Sequence, residues 1–417
     1  MDFDIDIQTL NKIQDSEKIQ NRMIERIIRR QEKTNEIILR EIGKTLGDIG
    51  ELTPSQLYTI EQQLKYGESL DKILKLLSET SNINEVEIYK MLEADARINL
   101  NNAKKYYIAR GIDFVPYEEN IPLQNLVKQI AYTTLKTYRN IANTTGLTFI
   151  NRNGKRVTKV LKNAYYDIVD DAINSVATGK ETFYQTLERQ LKTIGKSGIQ
   201  SIEYESGYHR RIDSALRMNM QDGLSQLSIA QQEMMGEQFG ADAKEITTHE
   251  NPAPDHQNLQ GHIFRNEEFN KLQDYNYMGE FKDVKGNVYV RSAEEHIRPI
   301  GELNCYHKVF SIVLGVDKPR FSQKELDAIN KRNEKGFEFE GKHYSMYEGE
   351  QLLRKIELEL RKTRETKIMA KASNTEEGKQ LFDKMKARET KLLNKYHNLS
   401  KVSGLPTKLE RTRVLTK

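Results

Sequence analysis

The sequence predicts a mainly α protein, with a long-helix N-terminal body, a small α+β module and a basic helical tail. Three observations predict it. There are only eight prolines and no tryptophan in 417 residues. Apolar residues recur at i, i+4 through long charged stretches, the helical period. After Gly240 the texture changes to short alternating runs broken by turn residues. At this length two to three domains are expected, and changes of texture divide the chain into 1–120, 121–240, 241–318 and 319–417.

In the first division Met23, Ile27, Ile38, Ile42 and Leu46 carry the helical stripe, with Arg29, Arg30 and Glu36 between them. Thr53-Pro54-Ser55-Gln56 reads as a helix start. Thr53 can cap, Pro54 suits the first helical position and Gln56 can bond back. Leu57, Ile60 and Leu64 follow as its buried stripe, Gly67 as its stop, and Ser69–Glu79 as a further helix. Longer periodic segments cover about 84–110, 123–143, 159–178, 181–194 and 208–239, the first two punctuated by Gly111, Pro116 and Pro122. No repeat of about 20–50 residues recurs, which disfavours a solenoid.

Beyond Gly240, Glu245–Thr248 and His262–Arg265 read as short strands. Gly286-Asn287 lies between two alternating runs as a hairpin turn. Phe337-Glu338-Phe339 and Lys342–Ser345 form a second hairpin around Glu340-Gly341. Helical periodicity returns over Tyr347–Ala370 and Thr375–Tyr396.

The longest apolar stretch, Val309–Val316, is far short of the ~20 residues that cross a bilayer, so no membrane segment is expected. The opening MDFDIDIQTL is acidic and unlike a secretory signal. One cysteine, Cys305, excludes an internal disulfide and suits a reducing cytoplasm.

Five of the eight histidines, His249, His256, His262, His296 and His307, lie close together in sequence, and Cys305 lies among them. Imidazole and thiolate are zinc ligands, and a carboxylate can add an oxygen. His249, Asp255, His256, Cys305 and His307 are therefore the candidate metal ligands, with zinc the metal they suit. The first reading of these residues, however, is as hydrogen-bonding groups that hold irregular loops, with a metal site as the alternative. The spacing matches neither His-x₃-His nor CxxC, and nothing pairs a nucleophile with a base, so no catalytic residue is assigned.

Net charge is +4, but Pro319–Lys417 holds 24 basic and 15 acidic residues. Along the tail helix Leu353, Ile356 and Leu360 form an apolar stripe. Arg354, Glu357, Arg361 and Arg364 form a charged one, with Glu357 placed favourably before Arg361. Arg354, Arg361, Lys362, Arg364 and Lys367 are the candidate contacts for DNA or an acidic protein face. With no aromatic residues interleaved, a DNA contact would be to phosphates, independent of sequence.

Three segments carry a family likeness. Thr248-His249-Glu250-Asn251-Pro252-Ala253-Pro254-Asp255-His256 with Leu259-Gln260-Gly261-His262-Ile263-Phe264 is the first. Gly301, Leu303 and Asn304-Cys305-Tyr306-His307 are the second. Tyr344-Ser345-Met346-Tyr347-Glu348, Gln351, Arg354, Glu357, Arg361 and Lys367 are the third. Together they resemble the phage minor capsid protein 2 family, related to the phage Mu protein F-like head morphogenesis proteins. Arg217 fits the helix before the histidine loop, while Ile24–Arg30 and Asn140–Thr144 are looser likenesses. The chain departs from the pattern at Leu259, where the family has tryptophan, at Ala253, where it has arginine, and at Tyr306. Those changes remove a packing surface and an anion-binding group.

The resemblance implies a Mu F-like module in a minor head protein of a tailed phage. Such a protein is made in the host cytoplasm and located in the virion, inside the head or at the portal vertex. The implied partners are the portal and other capsid proteins, with packaged DNA as a non-specific one. Two rival functions remain open. One is a DNA-associated internal head protein ejected with the genome, the other a metal-dependent hydrolase centred on the histidine cluster.

Overall fold

A computed structural model describes residues 16–151, 153–202, 209–249, 251–302 and 305–414. The acidic opening, Tyr208, Glu250, Leu303 and Asn304 lie outside the described residues.

The chain is mainly helical, as its composition predicts. Long helices come first: α1 (Ser16–Gly50), a single turn α2 (Pro54–Leu57), α3 (Ile60–Ala109) and α4 (Ile121–Asn143). Then follow strands β1 (Thr145–Ile150) and β2 (Arg156–Val160), helices α5 (Leu161–Ala177) and α6 (Phe183–Ser197), strands β3 (Gln200–Ile202) and β4 (His209–Arg211), and helix α7 (Ile212–Phe239). The next stretch holds β5 (Ala243–Ile246), the single turn α8 (Pro254–Gln257), β6 (Ile263–Arg265), α9 (Asn266–Gln273), β7 (Gly279–Lys282), β8 (Val288–Arg291) and β9 (Val309–Ile312). The chain closes with α10 (Gln323–Lys335), the hairpin β10 (Phe337–Phe339) and β11 (Lys342–Tyr344), α11 (Met346–Ala372), α12 (Glu376–Ser403) and a 3₁₀ turn at Leu409–Thr412.

Two compact units are built from these elements. One comprises Met1–Glu25, Val86–Lys136 and Met218–Glu350, the other Arg26–Glu85, Thr137–Arg217 and Gln351–Lys417.

In the second unit the residues read as the stripe of α1, Ile38, Ile42 and Leu46, are all buried. Gly43 and Gly47 lie one turn apart on α1, and a Cβ added to them would sit 2.4 Å from the Met369 carbonyl oxygen and 2.0 Å from that of Ser373. Only glycine admits so close a backbone approach. Gly43→Ala is therefore expected to destabilise by about 1–3 kcal/mol through overpacking, against alanine's better helix propensity of about 1 kcal/mol. Gly67→Ala is expected to do the opposite, gaining about 0.5–1 kcal/mol, because nothing lies within 4 Å of its added Cβ. Denaturant midpoints of the two variants check both signs.

Gly67 also corrects an expectation. It does not stop a helix but lies inside α3, which runs unbroken over the stretch read as two or three helices. A stop of that kind needs a left-handed residue, and Gly67 has no positive φ. Tyr66, Leu70 and Ile73 beside it are buried, so packing outweighs glycine's cost. Gln56 does accept the Thr53 backbone N–H at 2.9 Å. The helix it starts nevertheless ends at Leu57, and Leu64 is exposed rather than part of a buried stripe.

The stretch read as a central helical region also contains an antiparallel sheet of order β2-β1-β3-β4, with Leu147 and Phe149 of β1 fully buried. The apolar stripe of α11 is buried as read, at Leu353, Ile356 and Leu360.

In the first unit the module has an antiparallel sheet of order β6-β5-β9, close to the strands expected at 245–248 and 262–265. The Gly286-Asn287 hairpin forms, with Lys282 opposite Val288, and so does the second, with Phe337 opposite Tyr344. The module core is Ile246, Leu259, Phe264, Phe269, Leu272, Phe281, Ile300 and Val309. Leu259, the residue at which the sequence departs from the pattern it resembles, thus fills core. Glu245 is fully buried on β5, held by the Arg320 backbone N–H at 2.7 Å and its guanidinium at 2.9 Å.

Candidate functional site

The histidine cluster is assembled where the end of the central strand β5 meets the start of its neighbour β9. Thr247, just past β5, pairs with Lys308, just before β9: its N–H donates to the Lys308 carbonyl at 2.9 Å, and its hydroxyl accepts the Lys308 N–H at 2.8 Å. This ladder sets His249 beside the Cys305-Tyr306-His307 segment. Asn251, at φ 55, turns the chain in a left-handed conformation that asparagine tolerates. Pro252 and Pro254 then lead into α8, which carries His256.

His256, Cys305 and His307 are brought together, with one ligand atom from each within 4.8 Å of the others. They are 1%, 5% and 2% exposed. Cys305 Sγ lies 3.4 Å from His256 Nδ1 and 3.3 Å from His307 Nδ1. His249 lies at the edge of the group, its ring centroid 4.2 Å from that of His307 with the planes tilted by 46°. Asp255 pairs with Arg298, whose Nε and Nη2 donate to it at 2.7 and 2.9 Å, and its Oδ2 lies 3.6 Å from His256 Nε2, beyond hydrogen-bond distance.

Each imidazole is oriented from outside the group. His256 Nε2 lies 2.9 Å from the Arg298 carbonyl oxygen, and a carbonyl can only accept, so Nε2 carries the proton. His307 Nε2 lies 3.4 Å from Gln260 Oε1. That oxygen also accepts the His249 backbone N–H at 3.2 Å, which fixes the orientation of the amide. Burial pushes both imidazoles below their usual range, His307 to about 2 with the help of His249, His256 and Arg298. Burial likewise pushes the Cys305 thiol up, the reverse of an activated nucleophile. Burial alone would raise the Asp255 carboxyl, but the bonds and charge of Arg298, with His256 beside it, hold it below the usual carboxylate range.

The other two histidines of the stretch stand apart. His262 Nδ1 is 2.6 Å from Asp283 Oδ2, and His296 meets the Tyr275 hydroxyl at 3.2 Å. Asp283 also accepts the Lys285 and Asn287 backbone N–H groups at 2.9 Å each, and so shapes the β7–β8 turn. Burial alone would raise its pKa, but the bonds from His262 and Asn287 hold it below 3.8. A carboxyl lowered on folding contributes stability in full above its unfolded pKa, and that contribution is lost as pH falls through the folded value. Asp283→Asn is expected to cost about 2–3 kcal/mol at neutral pH. The gap to the parent should start to narrow in unfolding curves taken below the unfolded value of 3.8 and close only below the lower folded value.

The tail candidates are placed differently from an open basic stripe. Arg361 pairs with Asp213 in a buried position. Lys362 pairs with Glu359 at 2.7 Å, and Arg364 Nε with Glu389 at 2.7 Å. Lys367 pairs with Glu389 as well, and Arg354 is half-buried on the same helix. A cavity of about 410 Å³ lies beside them, lined by Lys192, Lys196, Lys362, Arg388 and Glu359 among others.

Several residues that matter to the module were not singled out from the sequence. Arg291 is 1% exposed and donates to the carbonyls of Ile297 at 2.7 Å, Leu272 at 2.6 Å and Lys271 at 3.3 Å. Arg298 and Gln260 orient the imidazoles. Gln260 lies within a recognised motif, which is a signal; an isolated arginine in a polar loop offers none.

The chain is thus mainly helical, with a small α+β module built around a buried His/Cys cluster. Comparison with known proteins gives the family. The model of phage minor capsid protein 2 matches residues 22–396, nearly the whole chain, and the chain belongs to that family. No curated protein and no solved structure matches it. Membership assigns a phage capsid role in the virion, in company with other virion proteins. Among the described residues no helix is long and apolar enough to cross a membrane.

Proposed function

We propose that the chain is a non-enzymatic head morphogenesis protein of a tailed phage, acting by protein contacts at the portal or inside the shell. The observation that carries this reading is the family match across 22–396. The burial of His256, Cys305 and His307 supports a structural role over hydrolysis. Exposed apolar side chains on the long helices, Ile108, Ile121 and Tyr132 in one unit and Leu64 and Ile83 in the other, are anchors for partner proteins. Cross-linking mass spectrometry of assembled heads tests the proposal. Links from lysines of α3 and α4 to the portal protein are expected. Recovery of this chain in heads with links to no other head protein would contradict it.

A second reading, contact with packaged DNA, is favoured by the cavity lined by Lys192, Lys196, Lys362 and Arg388, in which Glu359 pairs with Lys362 and Arg388. It predicts binding to duplex DNA that weakens steeply with salt and is reduced by Lys196→Glu. Binding insensitive to salt or to that change would remove it.

A further inference from the structure

We propose that His256, Cys305 and His307 form a structural zinc site that ties the loop after β5 to the loop before β9. The argument is a count of protons and lone pairs. The Arg298 carbonyl and Gln260 Oε1 are acceptors, so they take the Nε2 protons of His256 and His307. Both Nδ1 atoms are then left as lone pairs, and both point at Cys305 Sγ, at 3.4 and 3.3 Å. One thiol has one proton to give. Two buried acceptors facing a single donor leave one unsatisfied, and a buried polar atom without a partner is costly. A cation at the centre satisfies all three atoms at once, with the sulfur as thiolate.

The spacing agrees. Zn–S bonds of about 2.3 Å and Zn–N bonds of about 2.0–2.1 Å at a tetrahedral angle place sulfur and nitrogen about 3.5 Å apart, close to the distances found. Outer carbonyl partners on the far ring nitrogens are the arrangement that fixes metal-bound histidines. His249, its ring against that of His307, is the further imidazole at hand for the fourth position. Asp255 is held by Arg298 and is not a ligand. The role is structural because the three donors are buried to within a few per cent.

Cys305 is the only cysteine of the chain, which makes the test specific. The full chain, purified without chelator from zinc-supplemented cells, is assayed for metal by elemental mass spectrometry and then reloaded with cobalt(II). The expected result is about one zinc per chain and a thiolate-to-cobalt charge-transfer band that saturates at one equivalent. That band can arise only at Cys305, whereas adventitious binding at surface histidines gives none. Chelation should lower the melting temperature, and returned zinc should restore it. Folded protein with neither zinc nor the band would overturn the proposal, as would a Cys305→Ala variant that folds and still holds one zinc. If Cys305→Ala does not fold, the cobalt spectrum of the parent protein decides alone.

Discussion

Replacing Arg211 with alanine is expected to cost about 3–5 kcal/mol of stability, the typical result of stripping one partner from a buried ion pair. Arg211 ends β4 and pairs with Glu365, which is 5% exposed. It also lies 3.7 Å from Asp213 and donates to the Ser197 carbonyl at 3.2 Å. Arg361 completes the group through Asp213. Burial, and then the neighbouring Arg211, pushes the Arg361 guanidinium down to about 10. Burial raises the Glu365 carboxyl against the pull of both arginines. Without Arg211, Glu365 loses its hydrogen-bond donor in a place water does not reach. The double variant Arg211→Met, Glu365→Met should recover much of the loss, because apolar side chains of similar volume carry no desolvation penalty. Denaturant unfolding of the full chain measures both. A single-variant loss below about 1 kcal/mol, the range of exposed pairs, would show that the network contributes little.

Arg291→Met is the second large effect, again about 3–5 kcal/mol, and it falls on the module. Arg291 is buried and spends its guanidinium on main-chain carbonyls, among them Leu272 at the end of α9 and Ile297 in the following loop. It therefore closes the helix end and anchors the loop that leads to Arg298 and the His256 carbonyl partner. Methionine keeps much of the stem and leaves those carbonyls unpaired. Lysine keeps the charge but not the planar fork, so Arg291→Lys should recover only part of the loss. Loss of the native circular dichroism of aromatic residues, read as a melting curve, checks the order parent, lysine, methionine.

These two arginines mark where the sequence could be read and where it could not. The helical class was legible because periodic apolar stripes such as Ile38, Ile42, Leu46 and Leu353, Ile356, Leu360 are buried as spaced. The hairpins were legible because Gly286-Asn287 and Glu340-Gly341 are turn residues between alternating runs. The sheet β2-β1-β3-β4 was not. Its strands β3 and β4 have three residues each, too few to alternate, and α5 starts directly after β2, so helical periodicity ran through the boundary.

Gly67 misled because glycine's cost is a local term, whereas α3 is held by packing. At the cluster, residue types pointed to His256, Cys305 and His307, but composition gave no sign that Asp255 belongs to Arg298. Charge spacing likewise suggested an outward stripe at Arg361 and Arg364, because the acids that meet them, Asp213 and Glu389, are set by tertiary structure.

The central claim is a place in the virion as a minor head component. Quantitative mass spectrometry of purified phage particles, comparing full heads with emptied ones, tests it most directly. A few copies per full particle, retained after the genome leaves, is the result the account predicts. Complete absence of the chain from particles would contradict it.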